Sequence, residues 1–327
     1  MQFRTEVFPN DSDFQIDFNT KTLFLGSCFA TNIKQKMALA NMDAHDIHHG
    51  ILFNPYSINQ ALCDLIGEVK YTESDLLSWD GKYYSMNHSG SYIDSNASNV
   101  MNKVNIGIEK DAILLQNTEV LVVTLGSAWV YRHFNAGIVA NCHRIPSAQF
   151  IKEKLGVNDI VSQFSRTLEH LFCVNSKLKV IFSLSPVRHW KDGAVENQWS
   201  KSILNVAIHE LIRRFEKVSY FPAYELIMDD LRDYRFFKED LLHPNQMAIN
   251  YIWEKFQRTY FSEETSSGVQ KVEKWKKGMG HRVLGDKTDR MNHLSKLIES
   301  AVILENELLI DLSDEREQLT LSKSQLS

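Results

Sequence analysis

The chain predicts an α/β fold built on a mainly parallel, doubly wound sheet, and three observations carry that prediction. Short apolar runs rich in β-branched residues stop at Gly, Ser or Pro. Amphipathic helical segments alternate with them. Small polar residues stand directly after the runs, where sheets of this kind bind ligands beyond the carboxyl ends of their strands.

Taken in order, the first run is Thr22-Leu23-Phe24-Leu25, leading into Gly26-Ser27. The second is Val120-Leu121-Val122-Val123-Thr124-Leu125, closed by Gly126. The third is Lys179-Val180-Ile181-Phe182-Ser183-Leu184, closed by Ser185-Pro186, and a weaker fourth, Val218-Ser219-Tyr220-Phe221, ends at Pro222. Between them, Thr31 to Met42 places Ile33, Met37 and Leu39 on one helical stripe. Val157 to Phe172 does the same with Ile160, Phe164, Leu168 and Leu171. Ser202 to Phe215 carries Ile203, Val206, Ala207, Leu211 and Phe215, and Gln246 to Phe256 forms a last short helix of this part.

Two regions depart from the alternation. Gln60 to Gln116 reads as an excursion over the sheet edge. Its Asp80-Gly81 turn between aromatic residues signals a hairpin, either a lid beside the crevice or a plain surface feature. After Tyr260, Ser262 to Gly268 has the composition of a linker. Leu294, Leu297, Ala301, Leu304 and Leu308 then recur at helical spacing, and the chain past about Asp314 is expected to fray. The division is therefore residues 1–260 as the α/β domain and 261–327 as a linker with an amphipathic helical tail, which could dock on the domain or on a second subunit.

Composition limits the function. The 327 residues are 43% hydrophobic and 24% charged, as in globular proteins. With 36 basic against 41 acidic residues and no basic block, a nucleic-acid partner is not expected. The amino-terminal residues show no leader pattern, and no run is long enough to span a membrane. Four scattered cysteines, Cys28, Cys63, Cys142 and Cys173, read as free thiols. A cytoplasmic location follows as the expectation.

Ser27 closes the first run, and Asp240-Leu241-Leu242-His243-Pro244 comes more than two hundred residues later. A serine hydroxyl needs a base within reach, and the base needs an orienting carboxylate. Ser27, His243 and Asp240 can fill those roles, with Pro244 holding His243 out of helical geometry. Cys28 is a rival nucleophile, since a helix amino terminus lowers a thiol pKa. His45, Asp46, His48, His49, Cys142 and His143 lack the paired spacing of a zinc site and read as structural or surface residues, so no metal is expected. Arg188-His189 follows a strand end and could hold a substrate carboxylate or phosphate, or pair with Asp229, Asp230 and Asp233.

The string Gly-Ser-Cys-Phe-Ala at 26–30 resembles the name-giving motif of the GSCFA family, placed among the SGNH (GDSL-like) hydrolases. His49 to Tyr56, Thr124 to Tyr131, Asn141-Cys142-His143, Ser185 to His189, and Tyr220 through Arg235-Phe236 to His243-Pro244 resemble it too, over roughly residues 3 to 260. The resemblance implies a three-layer α/β/α flavodoxin-like fold and a serine esterase or acyl-transfer site without a cofactor. It gives Ser27 as nucleophile, His243 as base and Asp240 as its orienter. For the oxyanion it implies the Ser27 amide, Gly50 on the second block, and a third-block donor. The usual third-block asparagine is absent from Gly126-Ser127-Ala128-Trp129, which leaves Asn54, Asn141, Gly126 or Ser127 as candidates. The expected activity is cleavage of an ester, on a small molecule or a carbohydrate, through an acyl-enzyme. Acyl transfer to a sugar hydroxyl and a non-catalytic binding or scaffold role are the alternatives.

Overall fold

The computed structural model describes residues 4–281 and 286–326. Residues 1–3 of the stretch without a leader pattern, and 282–285 and 327 of the expected tail, lie outside them. The chain begins with β1 (Thr22–Gly26), α1 (Cys28–Leu39), β2 (Ala44–Asp46), α2 (Pro55–Ile66), β3 (Leu77–Trp79), β4 (Lys82–Tyr84), β5 (Ile93–Asp94) and α3 (Ala97–Gln116). It continues through β6 (Val120–Leu125), β7 (Trp129–His133), β8 (Gly137–Val139), β9 (Phe150–Lys154), α4 (Val157–Val174), β10 (Lys179–Leu184), α5 (Gly193–Arg214) and β11 (Val218–Phe221). The short α6 (Ala223–Glu225), α7 (Gln246–Tyr260), α8 (Glu263–Met279), α9 (Lys287–Leu308) and α10 (Ser313–Ser324) follow.

Two compact units emerge. The first gathers Lys21–Lys34, His45–Ile252 and the described residues up to Pro9; the second gathers Asn10–Thr20, Gln35–Ala44 and the described residues from Trp253 on. In the first unit a five-stranded sheet runs β11-β10-β6-β1-β2. Counting only these strands along the chain, the order is 2-1-3-4-5, the flavodoxin-like arrangement. The four strands read from the sequence are all present and pair in parallel register, Leu23 with Leu121 and Val122 with Ile181. Leu23, Leu25, Leu121, Val123, Leu125, Val180, Phe182 and Leu184 share a core with residues of α2 to α5. Phe24, Val122 and Ile181, on the alternate face, are buried as well. Both faces are covered, which is why these strands read as continuous apolar runs rather than alternating ones.

The excursion after β2 is more regular than expected. Asn54 caps α2, its side chain accepting the Ser57 amide, with Pro55 in the first turn. The long α3 also lies within the region read as irregular. The expected hairpin forms across Asp80-Gly81, both with positive φ, as a tight two-residue turn needs. Its Tyr84 and Met86 pack against Val139 and Ile145 of a second antiparallel insertion, β8-β7-β9, which the sequence reading did not contain. Helix stripes also shift. Leu39 and Val206, expected inside, are exposed, while Leu204 and Ile208 take the buried face of α5.

The carboxy-terminal reading needs correction. Ser262 to Gly268 is not a linker: Ser262 caps α8 by accepting the Thr265 amide, and Glu263 and Glu264 occupy the first turn, where the helix dipole favours acids. A β-carbon on Gly268 would stand 2.7 Å from the Phe18 ring and 2.8 Å from Leu308, so the glycine serves close packing. Nor is the end frayed, since α10 runs to Ser324 with Leu319 buried. Leu297, Ala301 and Leu304 of α9 close against Trp275, Leu312 and Leu319. Among the described residues no helix is long and apolar enough to cross a membrane.

Two stability predictions follow. Gly26 has φ +123°, and a β-carbon there would lie 2.2 Å from the Thr124 carbonyl oxygen, whereas Gly137 has φ +71° with open space around it. Gly26→Ala is expected to cost more than about 3 kcal/mol, and Gly137→Ala about 1 kcal/mol; urea unfolding of the two variants measures the difference. Burial, then the neighbouring His49 and His143, pushes the His88 pKa down to about 2. Below about pH 6.5 the unfolded chain takes up a proton that the folded His88 refuses, so this residue's contribution to stability falls as the pH falls. Between pH 7 and 5 the wild type should lose about 2 kcal/mol relative to His88→Gln, read from denaturation curves at each pH.

Candidate active site

Sheet order reverses direction between β1 and β6, and the crevice beyond their carboxyl ends is where ligands bind in open α/β sheets. At that point β1 passes directly into α1. Ser27 alone separates them, and α1 starts three residues earlier than its apolar stripe suggests. The Ser27 carbonyl accepts the Ala30 amide at 2.9 Å, and its Oγ accepts the Phe29 amide at 3.4 Å. Ser27 is buried within the fold yet lines a cavity of about 780 Å³.

The second half of the site is the loop before α7. Asp240 Oδ1 accepts the amides of Leu242 and His243, each at 2.9 Å, and Oδ2 lies 2.6 Å from His243 Nδ1. Leu241, with φ +60°, makes the tight reversal that closes this ring. Lys238 donates its amide to the His243 carbonyl, and Asn245 ties the loop to α7 by accepting the amides of Met247 and Ala248. These amides, with the imidazole, pull the Asp240 carboxyl down to about 2, so it is ionised at neutral pH. An ionised carboxylate on Nδ1 fixes the proton there and leaves Nε2 as the acceptor. The pair is not buried. Asp240 and His243 are both close to half exposed.

His243 lines the same cavity as Ser27. Among the described residues no hydrogen bond joins the two side chains, and both line the cavity. Asn54, Ser127, Asn141, Arg188 and His189 line it too, together with the aromatic side chains of Trp129, Tyr131 and Trp190. The hairpin Trp79–Tyr84 does not reach it. That hairpin borders a neighbouring cavity and supports the loop carrying Asn141, which touches both.

The expected oxyanion donors divide. The Ser27 amide is committed to the Thr124 carbonyl at 3.1 Å, and the Gly126 and Ser127 amides both go to the Phe53 carbonyl. Gly50 donates to Ile47 and borders a different cavity, beside Asp46 and Ile51. None of these four amides is free. Among the described residues Asn54 spends one amide hydrogen on Ser57 Oγ and keeps the other, and Asn141 uses only its Oδ1, on the His143 amide. The Cys28 amide, at the open end of α1, meets no carbonyl among the described residues and faces its own thiol. An amide without a carbonyl partner in the first turn is what a strand-to-helix turn provides. Its sequence signal was the Ser27-Cys28 junction itself, read only for its thiol.

Lys201 escaped the sequence reading altogether. Its ammonium is fully buried behind the crevice and donates to the carbonyls of Gly126 and Ser185, both at 2.7 Å. Burial lowers its pKa to about 7. Burial, followed by Lys201, likewise pushes His189 to about 4, so that imidazole is neutral at pH 7. The remaining histidines are engaged elsewhere. His48 pairs with Asp111, His49 stacks on His88, and no three potential ligands come together for a metal among the described residues.

The Cys28 thiol is pushed up by burial, an effect larger than the opposing pull of the helix amides and of Lys238 and Lys201. It is therefore protonated at neutral pH, contrary to the activated thiol considered above. Iodoacetamide at pH 7.5 is expected to modify the exposed Cys173 at least about tenfold faster than Cys28, as read by peptide mass spectrometry over time.

The GSCFA family model matches residues 21–256. No curated protein matches the chain. Solved structures similar to it include a carbohydrate esterase family 3 protein from Talaromyces cellulolyticus, at 11% identity and a TM-score of 0.33, covering 78% of this chain and 99% of that one.

Proposed function

The chain belongs to the GSCFA family, and on that premise we propose that it is a serine hydrolase of SGNH type, cleaving an ester through an acyl-enzyme on Ser27. The observation that carries this reading is one cavity lined by both Ser27 and His243, with His243 already oriented by Asp240. As Ser27 Oγ attacks the ester carbonyl carbon, its proton passes to His243 Nε2. The tetrahedral intermediate then collapses, the bond to the alcohol oxygen breaks, and that oxygen takes the proton from His243. Water repeats the cycle. It gives a proton to His243 as its oxygen attacks the acyl carbon, and the proton returns to Ser27 as the carboxylic acid leaves.

The negative charge that develops on the carbonyl oxygen needs donors aimed at it. The Cys28 amide, supported by the amino end of α1, and the spare amide hydrogens of Asn54 and Asn141 are the donors we assign to it. The aromatic lining of Trp129, Tyr131 and Trp190 suits the flat faces of a sugar, so an O-acyl group on a carbohydrate is the substrate we favour.

Turnover of 4-nitrophenyl acetate tests the assignment. Ser27→Ala is expected to lower kcat by at least about a thousandfold, and Asp240→Asn, which leaves His243 without its fixed tautomer, by about a hundredfold to ten-thousandfold. A fluorophosphonate probe should label Ser27 in the folded wild type. Equal turnover by wild type and Ser27→Ala, with no labelling, would leave a binding protein on this fold.

A further inference from the structure

We propose that Arg188 anchors an oxyanion, a carboxylate or phosphate carried by the ester's alcohol portion; as a statement about an ester it rests on the hydrolase reading above. Arg188 lies where two cavities meet. It lines the larger one with Ser27 and His243. It also lines a second, of about 450 Å³, bordered by Ile227, Met228, Leu231, Phe237 and the Asp240 loop. Trp190 and Leu242 border both cavities as well, so a group held at Arg188 is adjacent to the space in front of His243.

The guanidinium has no counter-ion of its own. Among the described residues it makes no ion pair, and its Nε is buried without a partner. The acidic stretch that could have neutralised it is otherwise engaged. Asp229 pairs with Arg232 at 3.6 Å, Asp230 with Arg4 at 3.6 Å and Asp233 with Arg235 at 3.1 Å. Two other acids that line these cavities are also taken, Asp192 by Lys152 and Asp240 by His243. The guanidinium hydrogen-bonds the Tyr224 hydroxyl, which burial keeps neutral, so this contact leaves the positive charge without an anion. Behind it Lys201, whose own bonds go to two carbonyls and which does not line either cavity, supplies no negative charge and carries part of a positive one at neutral pH. His189, the other residue expected to hold an anion, spends its amide on Asn197 and packs its ring edge-on to Phe53 at 5.7 Å.

A partly buried guanidinium whose charge no acid offsets is costly. Its planar fork matches a carboxylate or phosphate through two parallel hydrogen bonds, and that match is stronger away from bulk water. A neutral substrate would leave the position uncompensated.

Three aryl acetates that differ only para to the ester oxygen test this: 4-acetoxybenzoate, 4-acetoxyphenyl phosphate and the neutral 4-acetoxybenzamide. The wild type is expected to show kcat/KM about ten- to a hundredfold higher for at least one anionic ester than for the amide, mainly through KM. The better of the two anions identifies carboxylate or phosphate. In Arg188→Gln that ratio should fall to near one, and Arg188→Lys should keep part of it. Calorimetric binding of the same three compounds to Ser27→Ala supplies a readout independent of turnover. Preferential binding of an anionic compound, lost in Arg188→Gln, supports the anion site even if no ester is hydrolysed, and in that case the hydrolase reading alone fails. Equal binding and equal kcat/KM for all three, unchanged in Arg188→Gln, overturns the proposal while leaving the hydrolase reading standing.

Discussion

The arrangement depends on one carbonyl. The Thr124 oxygen projects from β6 toward β1, and it meets there a residue without a β-carbon, Gly26, followed by the amide of Ser27. The close approach lets the strand turn into α1 within a single residue, and the amide bond fixes where that residue sits. The same bond removes the Ser27 amide from the set of free donors. The turn therefore delivers a hydroxyl to the crevice and leaves the next amide along, at the mouth of α1, without a carbonyl partner among the described residues.

The other side of the site is held by different means. Between Phe236 and Asn245 the backbone makes no long regular element. It closes instead on Asp240, which gathers two amides and an imidazole around one carboxylate, and on the Phe237–Pro244 bridge. A loop with this many internal bonds keeps its shape despite its exposure. It also accounts for the left-handed Leu241, whose strain is outweighed by the ring it closes.

Much of this was legible in the residues. The four central strands read correctly because they are buried on both faces, and burial on both faces leaves an unbroken apolar run. Ser27 and the Asp240–His243 pair could be singled out because their chemistry depends on residue type and on position after a strand or before a helix. What remained hidden has physical causes. The first turns of α5 bury Asn197, Ser200 and Lys201 rather than apolar side chains, so a hydrophobic stripe cannot mark them. The strands of the β7–β9 insertion are short and mix buried with exposed positions irregularly. Gly268 looked like freedom and is instead contact. The fate of each backbone amide at the crevice depends on through-space approach, as of Phe53 to Gly126, and no local pattern encodes it.

Lys201 joins the ends of β6 and β10 through an amine whose charge is marginal near neutrality. When that amine loses a proton it still has two N–H groups, enough for both carbonyls. The tether and the electric field it generates are thus separable: alkali can discharge the floor of the crevice without loosening the strands that form it.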